Sequence, residues 1–321
     1  MAASAESPAV GGTAVTAAAG NAVTSAERRP SRRRQQIADL LRLARLNRPI
    51  GIWLLLWPTL WALWIASGGI PSPRLLLVFV LGTVVMRSGG CVVNDILDRN
   101  IDPYVRRTRE RPLAARRVSP YTAIAFACAL LFVALLLALL LNAAALRLAF
   151  VGAALTLTYP LFKRFFPVPQ LYLGLCFGWG IPMAFAATLG FVPRAGWLLL
   201  LAAVLWAGIY DTFYAMADRA DDARIGVRSS AISFGDLDLL IIGSMQLMML
   251  LALWLVGHSL QLGKAYYLGL AVGALLFASH LWLARSRERN ACFRVFLYNH
   301  WFGVVVLAGI VVQYGPGRLA W

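Results

Sequence analysis

The feature that limits this chain most is a succession of nine apolar runs between residues 49 and 315. They fall near 49–67, 75–93, 121–141, 146–161, 168–190, 196–215, 237–257, 265–284 and 299–315. Each is roughly 16 to 23 residues long, close to the ~20 that a helix needs to cross the hydrocarbon of a bilayer. Runs of this length predict an all-α integral membrane protein with nine transmembrane helices. Of the 321 residues, 60% are hydrophobic and 14% charged, against about 25% charged in soluble domains. A water-soluble enzyme with one ordinary core is excluded.

The charges carry the topology. Lys and Arg number 30 against 14 Asp and Glu, a net charge of +16. A soluble nucleic-acid binder presents such charge on one basic face. Here the arginines lie between apolar runs, which points to lipid headgroups and to orientation instead of nucleic acid. Arg74, Arg147, Arg194, Lys264 and Arg318 fall on one side of the predicted spans, and Arg87 falls inside the second. Every other basic residue, and every acidic one, falls on the opposite side. The positive-inside rule makes that side cytoplasmic, with the N-terminus in and the C-terminus out. The expected place is a bacterial inner membrane, with the mitochondrial inner membrane as the alternative. Cys91, Cys128, Cys176 and Cys292 are scattered, and the three histidines are dispersed. Neither a disulfide framework nor a zinc site is indicated.

Residues 1–34 are rich in Ala, Gly, Ser and Thr and close on a cluster of arginines. No apolar stretch follows as a secretory signal would require. Glu6, Glu27 and the alanine tract favour a disordered tail over a transit peptide. A membrane domain is expected over 35–321. It opens with an amphipathic helix at 35–46, where Ile37, Leu40, Leu41 and Ala44 share one face while Asp39, Arg42 and Arg45 point elsewhere. Such a helix suits the membrane surface.

Two segments at the cytoplasmic ends of spans concentrate the acids. After span 2, Asn94, Asp98 and Asp102 are spaced i, i+4, i+8, with Asp95 three residues before Asp98. On one helix these groups would share a face. After span 6, Tyr210 and Asp211 precede Asp218, Asp221 and Asp222, and Asp218 and Asp222 repeat the DxxxD spacing. Asp98 and Asp218 are 120 residues apart, as are Asp102 and Asp222. This offset suggests two four-helix pseudo-repeats plus one helix. Four carboxylates pooled over one cavity repel unless a cation neutralises them, and hard oxygen ligands select Mg²⁺. Mg²⁺ usually bridges a few carboxylates to substrate phosphates, so Asp98, Asp102, Asp218 and Asp222 predict a metal–diphosphate site. Arg106, Arg107, Arg109 and Arg111 follow the first segment, Lys163 and Arg164 follow span 4, and Arg224 and Arg228 follow the second. Arginine matches phosphate or carboxylate oxygens with paired donors; the alternative is that these residues only set topology. Arg87 could pair with a carboxylate of the chain or bind a substrate anion. Solvated acidic helix ends would show no repeated spacing. A cation-coupled transporter would carry its acids near the membrane centre.

The stretch GCVVNDILDRNIDPYVRRTRERPL (90–113) resembles the NDxxDxxxD signature of the UbiA-type membrane prenyltransferases, and YDTFYAMADRADDARIGVRSSAISFG (210–235) their second aspartate motif. The NRPIGIWLLLWPTLWALW run (47–64) and YPLFKR (159–164) are similar to the branch acting on 4-hydroxybenzoate. That branch more often has lysine where Arg228 stands and threonine where Ser230 stands. The resemblance covers roughly residues 37–315. It implies a nine-helix bundle around a central cytoplasm-facing cavity that opens laterally to lipid. It implies Mg²⁺-dependent transfer of a polyprenyl group from its diphosphate to the ring of 4-hydroxybenzoate, ortho to the hydroxyl, in ubiquinone synthesis. Asp211 is the candidate to accept or orient the phenol proton, with Asp222 second. The expected substrate contacts are Asn94, Asp95, Arg87, Arg106, Arg107, Arg111, Lys163, Arg164, Tyr210, Arg224 and Arg228. The partners are the two substrates and the bilayer; no obligate protein partner is evident. The competing enzyme reading is transfer to another aromatic acceptor, such as homogentisate, a naphthoate or haem.

Overall fold

Proline and serine punctuate the start of the second and third spans. α3 (Pro73–Asp98) opens on Ser72, whose hydroxyl accepts from the Leu75 amide at 3.3 Å, with Pro73 in the first turn. α4 (Pro120–Ala138) repeats the device, Ser119 accepting from the Thr122 amide at 3.1 Å. Proline costs nothing there, since first-turn amides have no intrahelical partner, and serine satisfies one of the others. This computed structural model describes residues 32–104, 108–162, 166, 169–226 and 229–315. The other helices are α1 (Arg32–Leu43), α2 (Ile50–Ser67), α5 (Ala143–Phe162), α6 (Pro169–Gly178) and α7 (Gly180–Leu189). They continue as α8 (Arg194–Ile225), the short α9 (Ser230–Phe234), α10 (Asp238–Ser259), α11 (Lys264–Ala284) and α12 (Arg289–Tyr314). Counting α6 with α7 and α9 with α10, nine segments among the described residues are long and apolar enough to cross a membrane.

The bundle centre is aromatic. Trp61 of α2 stacks on Trp206 of α8 with centroids 5.4 Å apart, and its indole donates to the Gly303 carbonyl of α12 at 2.9 Å. Phe302 of α12 stacks in turn on Phe277 of α11 at 4.1 Å. Small residues set the helix spacing: a Cβ on Gly269 would lie 3.2 Å from the Gly309 Cα, so α11 and α12 touch backbone to backbone, a mode of packing favoured where lipid removes the hydrophobic drive between helices. Buried Ser230 links α6 to α8, accepting from Gln170 at 2.9 Å and donating to Thr212 at 3.2 Å. A threonine there would keep the same hydroxyl.

The helices depart from the apolar runs where polar residues continue the spiral. α8 has 32 residues, about 48 Å at 1.5 Å per residue, so it outruns a ~30 Å hydrocarbon core. Its C-terminal turns carry Asp218, Asp221 and Asp222. α12 starts at Arg289, ten residues before the predicted 299, because its first turns are polar. The fifth span breaks between α6 and α7 at Trp179, where Gly178, Gly180 and Pro182 weaken continuous helix.

One local expectation is corrected. Asp102 does not extend the α3 face: the helix ends at Asp98 and Asp102 begins a one-turn 3₁₀ segment, Asp102–Tyr104. Pro103 can start such a turn, whereas inside a continuing helix it would remove a hydrogen bond and crowd the preceding turn. The face by which α1 packs on the bundle includes residues outside its expected apolar stripe. Ile37 and Leu41 are 50% and 45% exposed, whereas Asp39, Leu43 and Ala44 are buried. Leu43 packs with Val92, Leu113, Val118, Ala123 and Ala127 in a second, smaller core. Asp39 is carried inward because Arg117 reaches it at 3.1 Å.

Candidate active site

A cavity of about 1250 Å³ lies inside the bundle, walled by α2, α3, α4, α5, α6, α7, α8 and α12. Most of its wall is aliphatic and aromatic. Its polar residues include Arg87, Asn94 and Asp95 from α3, Tyr210 and Asp211 from α8, and Arg111 from the loop before α4. Helix rise explains the depth at which each sits. Counting from the α3 start at Pro73, Arg87 lies about 21 Å along the axis and Asn94 about 32 Å. From the α8 start at Arg194, Asp211 lies about 26 Å along and Asp218 about 36 Å. Arg87 and Asp211 therefore fall within about 30 Å of their helix starts, the thickness of a hydrocarbon core, and Asn94 and Asp218 fall beyond it.

The first aspartate segment is organised by arginine. Asp95, 1% exposed, accepts from Arg45 at 2.7 and 3.1 Å and from Arg111 at 3.0 Å. Arg111 also donates to Asp102 at 2.9 and 3.1 Å. Thr108 holds the Asp102 carbonyl at 2.8 Å. The chain Arg45–Asp95–Arg111–Asp102 thus fastens the end of α1 and the loop after α3 to α3 itself. Burial pulls the Arg45 guanidinium below its ordinary value and Asp95 opposes that pull; a guanidinium stays charged through such shifts. Asn94 donates to Asp98 at 3.1 Å, one turn on. Asp98 and Asp102 are both buried.

The second segment is organised in the same way from the other side of the bundle. Arg289, at the start of α12, pairs with Asp221 and lies 3.7 Å from Asp218. Asp238, fully buried at the start of α10, is held by Arg219 and by Arg287 at 3.0 Å. That bond raises the Arg287 pKa above its ordinary value. Asp222 is half-buried and Arg224 exposed. The Tyr210 hydroxyl is buried and has no hydrogen-bond partner among the described residues; its ring meets Trp206 edge-on at 5.8 Å.

The cavity wall therefore gathers Arg87, Asn94, Asp95, Arg111, Tyr210 and Asp211. Asp98, Asp102, Asp218, Asp222 and Arg224 are not among the residues that line it. Arg106, Arg107, Lys163, Arg164 and Arg228, together with residues 1–31, lie outside the described residues. Sequence reasoning missed Arg45, Arg48, Tyr159 and Tyr214, all of which line the cavity. Tyr159 had a signal, since it opens the YPLFKR segment. Arg45 had none: it looked like one more topology arginine, and only a left-handed φ of 59° after α1 turns the chain there. Among the described residues, no three His, Cys, Asp or Glu side chains converge as a metal cluster. Mg²⁺ takes one or two carboxylates and completes its shell with water and phosphate. Two segments that each offer aspartates fit a metal that arrives with a diphosphate.

The sequence pattern of the UbiA prenyltransferase family matches residues 55–303. A 4-hydroxybenzoate octaprenyltransferase of Saccharophagus degradans is 52% identical over 272 residues, covering 85% of this chain and 91% of its own. Another, of Nitrosococcus oceani, is 52% identical over 281 residues, covering 88% and 99%. The apo structure of a UbiA homolog from Aeropyrum pernix K1 superposes with a TM-score of 0.70 at 27% identity, covering 82% of this chain and 97% of that one. A UbiA homolog from Archaeoglobus fulgidus bound to GPP and Mg²⁺ shares the fold, with a TM-score of 0.63 at 18% identity over 85% and 99%. Two aspartate-bearing helix ends beside one apolar cavity, and a pattern that spans most of the bundle, have one explanation: this chain belongs to the UbiA prenyltransferase family.

Proposed function

We propose that this protein transfers a polyprenyl group from its diphosphate to the ring of 4-hydroxybenzoate, ortho to the hydroxyl. The observation that carries the reading is the presence of a guanidinium, Arg87, and a carboxylate, Asp211, on the wall of one largely apolar cavity. An acceptor with a carboxylate at one end and a phenol at the other needs both. The names of relatives about half identical to this chain support the same acceptor. The site faces the cytoplasm in this reading, which the distribution of arginines supports.

The residues then divide the work. The Arg87 Nε is buried without a hydrogen-bond partner among the described residues, and the guanidinium lies 5.7 Å from the Phe177 ring. We assign it the acceptor's carboxylate. Asp211 takes or orients the phenol proton, with Asp222 as the second candidate. Asp98, Asp102, Asp218 and Asp222 would hold Mg²⁺ and, through it, the diphosphate. Arg111, Arg106, Arg107, Lys163, Arg164, Arg224 and Arg228 supply further positive charge around the diphosphate, and Asn94 and Tyr210 border the acceptor. Asp95 keeps Arg45 and Arg111 aimed at the cavity. When bound, Mg²⁺ neutralises charge on the departing diphosphate. The C1–O bond of the allylic donor breaks, a C–C bond forms from the ring carbon beside the hydroxyl, and that carbon's proton leaves to restore aromaticity. The apolar wall excludes water that would otherwise intercept the allylic cation.

The test is prenyl transfer by purified membranes supplied with 4-hydroxybenzoate and a polyprenyl diphosphate. Product is expected with Mg²⁺ and none with EDTA. Donor consumed without a prenylated benzoate would overturn the acceptor, and product formed equally in EDTA would overturn the metal.

A further inference from the structure

Arg219 stands inside the second aspartate segment, yet its guanidinium pairs outside it. At 3.6 residues per turn, Asp211, Asp218 and Asp222 fall within about 40° of one another around α8, and Arg219 lies about 60° beyond Asp222. An arginine three residues before an aspartate on a helix is within reach of it. Arg219 instead crosses to the start of α10, where it donates to the Asp238 carboxylate and, at 3.4 Å, to the Gly235 carbonyl. Asp238 does not need this second guanidinium. Arg287 already grips both of its oxygens, from Nε at 3.1 and 3.2 Å and from Nη2 at 3.0 Å, and the Leu239 amide donates to it at 2.6 Å. Arg219 is held there even though its own Nε is buried without a hydrogen-bond partner among the described residues.

We infer that Asp238 is a positioning residue for the second aspartate segment: it draws Arg219 off the acidic face of α8, so that this guanidinium does not compete with Mg²⁺ for Asp222. A tie between α8 and α10 alone would be served as well by a neutral pair. Holding a positive charge away from metal-binding carboxylates takes a fixed anion, and Asp238 is fully buried. Arg287 keeps a second hold without it, through the Asp236 carbonyl at 2.9 Å. Arg219 is therefore the charge that the loss of Asp238 sets free. The inference rests on the proposed reading of Asp222 as a Mg²⁺ ligand.

The experiment titrates Mg²⁺ into the full-length protein in detergent with inorganic diphosphate present. The readout is the Mg²⁺ concentration that gives half of the rise in Tm, with prenyl transfer over the same titration as a second readout. Wild type is compared with Asp238→Asn, Arg219→Gln, their double variant and Asp222→Asn. A unit charge brought within a few ångströms of a divalent site shifts its affinity by roughly tenfold or more, so Asp238→Asn should raise half-saturation by that factor. Arg219→Gln should leave it at or below the wild-type value. The double variant should return it close to wild type, because the competing charge is gone. A mere tie behaves otherwise, since Arg219→Gln breaks the same bond. Half-saturation raised equally in both single variants and not restored in the double overturns the inference, as does a wild-type value in Asp238→Asn. Asp222→Asn separates this from the metal reading: a wild-type value there overturns Asp222 as a ligand, whereas a rise there with none in Asp238→Asn overturns only the role of Asp238. Should Asp238→Asn fail to accumulate, Arg219→Gln decides alone: a value at or below wild type supports the inference, and a tenfold rise overturns it.

Discussion

Asp95 and Asp211 are both carboxylates on the cavity wall, yet their surroundings give them different work. Asp95 is buried under two guanidiniums. Removing its charge leaves Arg45 and Arg111 facing each other without the group between them. Asp95→Asn should therefore lower stability by about 3 kcal/mol, at the lower end of the cost of breaking a buried ion pair, read as a fall in Tm in detergent. Asp211→Asn should leave Tm close to wild type and lower kcat by roughly 10²- to 10⁴-fold, the size of a lost general base. Equal effects on both readouts in both variants would undo this division. The two aspartate segments were legible from the sequence as acids gathered at span ends. The role of Asp95 was not. Whether a carboxylate meets metal, substrate or arginine depends on which residue arrives from elsewhere, and Arg45 arrives from 50 positions away.

Helix α1 shows the same limit at the scale of an element. Period and composition predicted a surface helix with Ile37, Leu40, Leu41 and Ala44 on one side. The helix exists, but the face that docks includes Leu43 and Asp39, because the small core between α3, α4 and the 108–119 loop offers an apolar slot beside Arg117. Leu43→Ala should cost about 2 to 5 kcal/mol, as for a fully buried leucine. Leu41→Ala on the same helix should change stability by less than about 0.5 kcal/mol, as for surface substitutions. Thermal melts of the two variants decide between this face and the one that periodicity favoured. Leu43→Ala should also weaken activity more than its lost stability explains, since it loosens the helix that delivers Arg45.

For the whole molecule, the nine spans and the arginine asymmetry specify which loops share a side. With the native cysteines replaced, Arg109→Cys should react with a membrane-impermeant maleimide only when the cytoplasmic face is exposed, in inside-out vesicles. Phe191→Cys, exposed between α7 and α8, should react only from the opposite face. Labelling of both from one side would reject the orientation. The sequence by itself determined the number of spans, their order and the positions of both aspartate segments. Each follows from local quantities: twenty apolar residues in a row, a charge at a span end, a spacing of four. Only the tertiary structure decided that Asp102 leaves the helix for a 3₁₀ turn, that Arg45 and Arg289 are the counter-charges of the two segments, and that the Arg87 guanidinium packs on Gly51. Those facts depend on how separate helices approach one another, and a charge on one helix has no address on another until packing brings the two together.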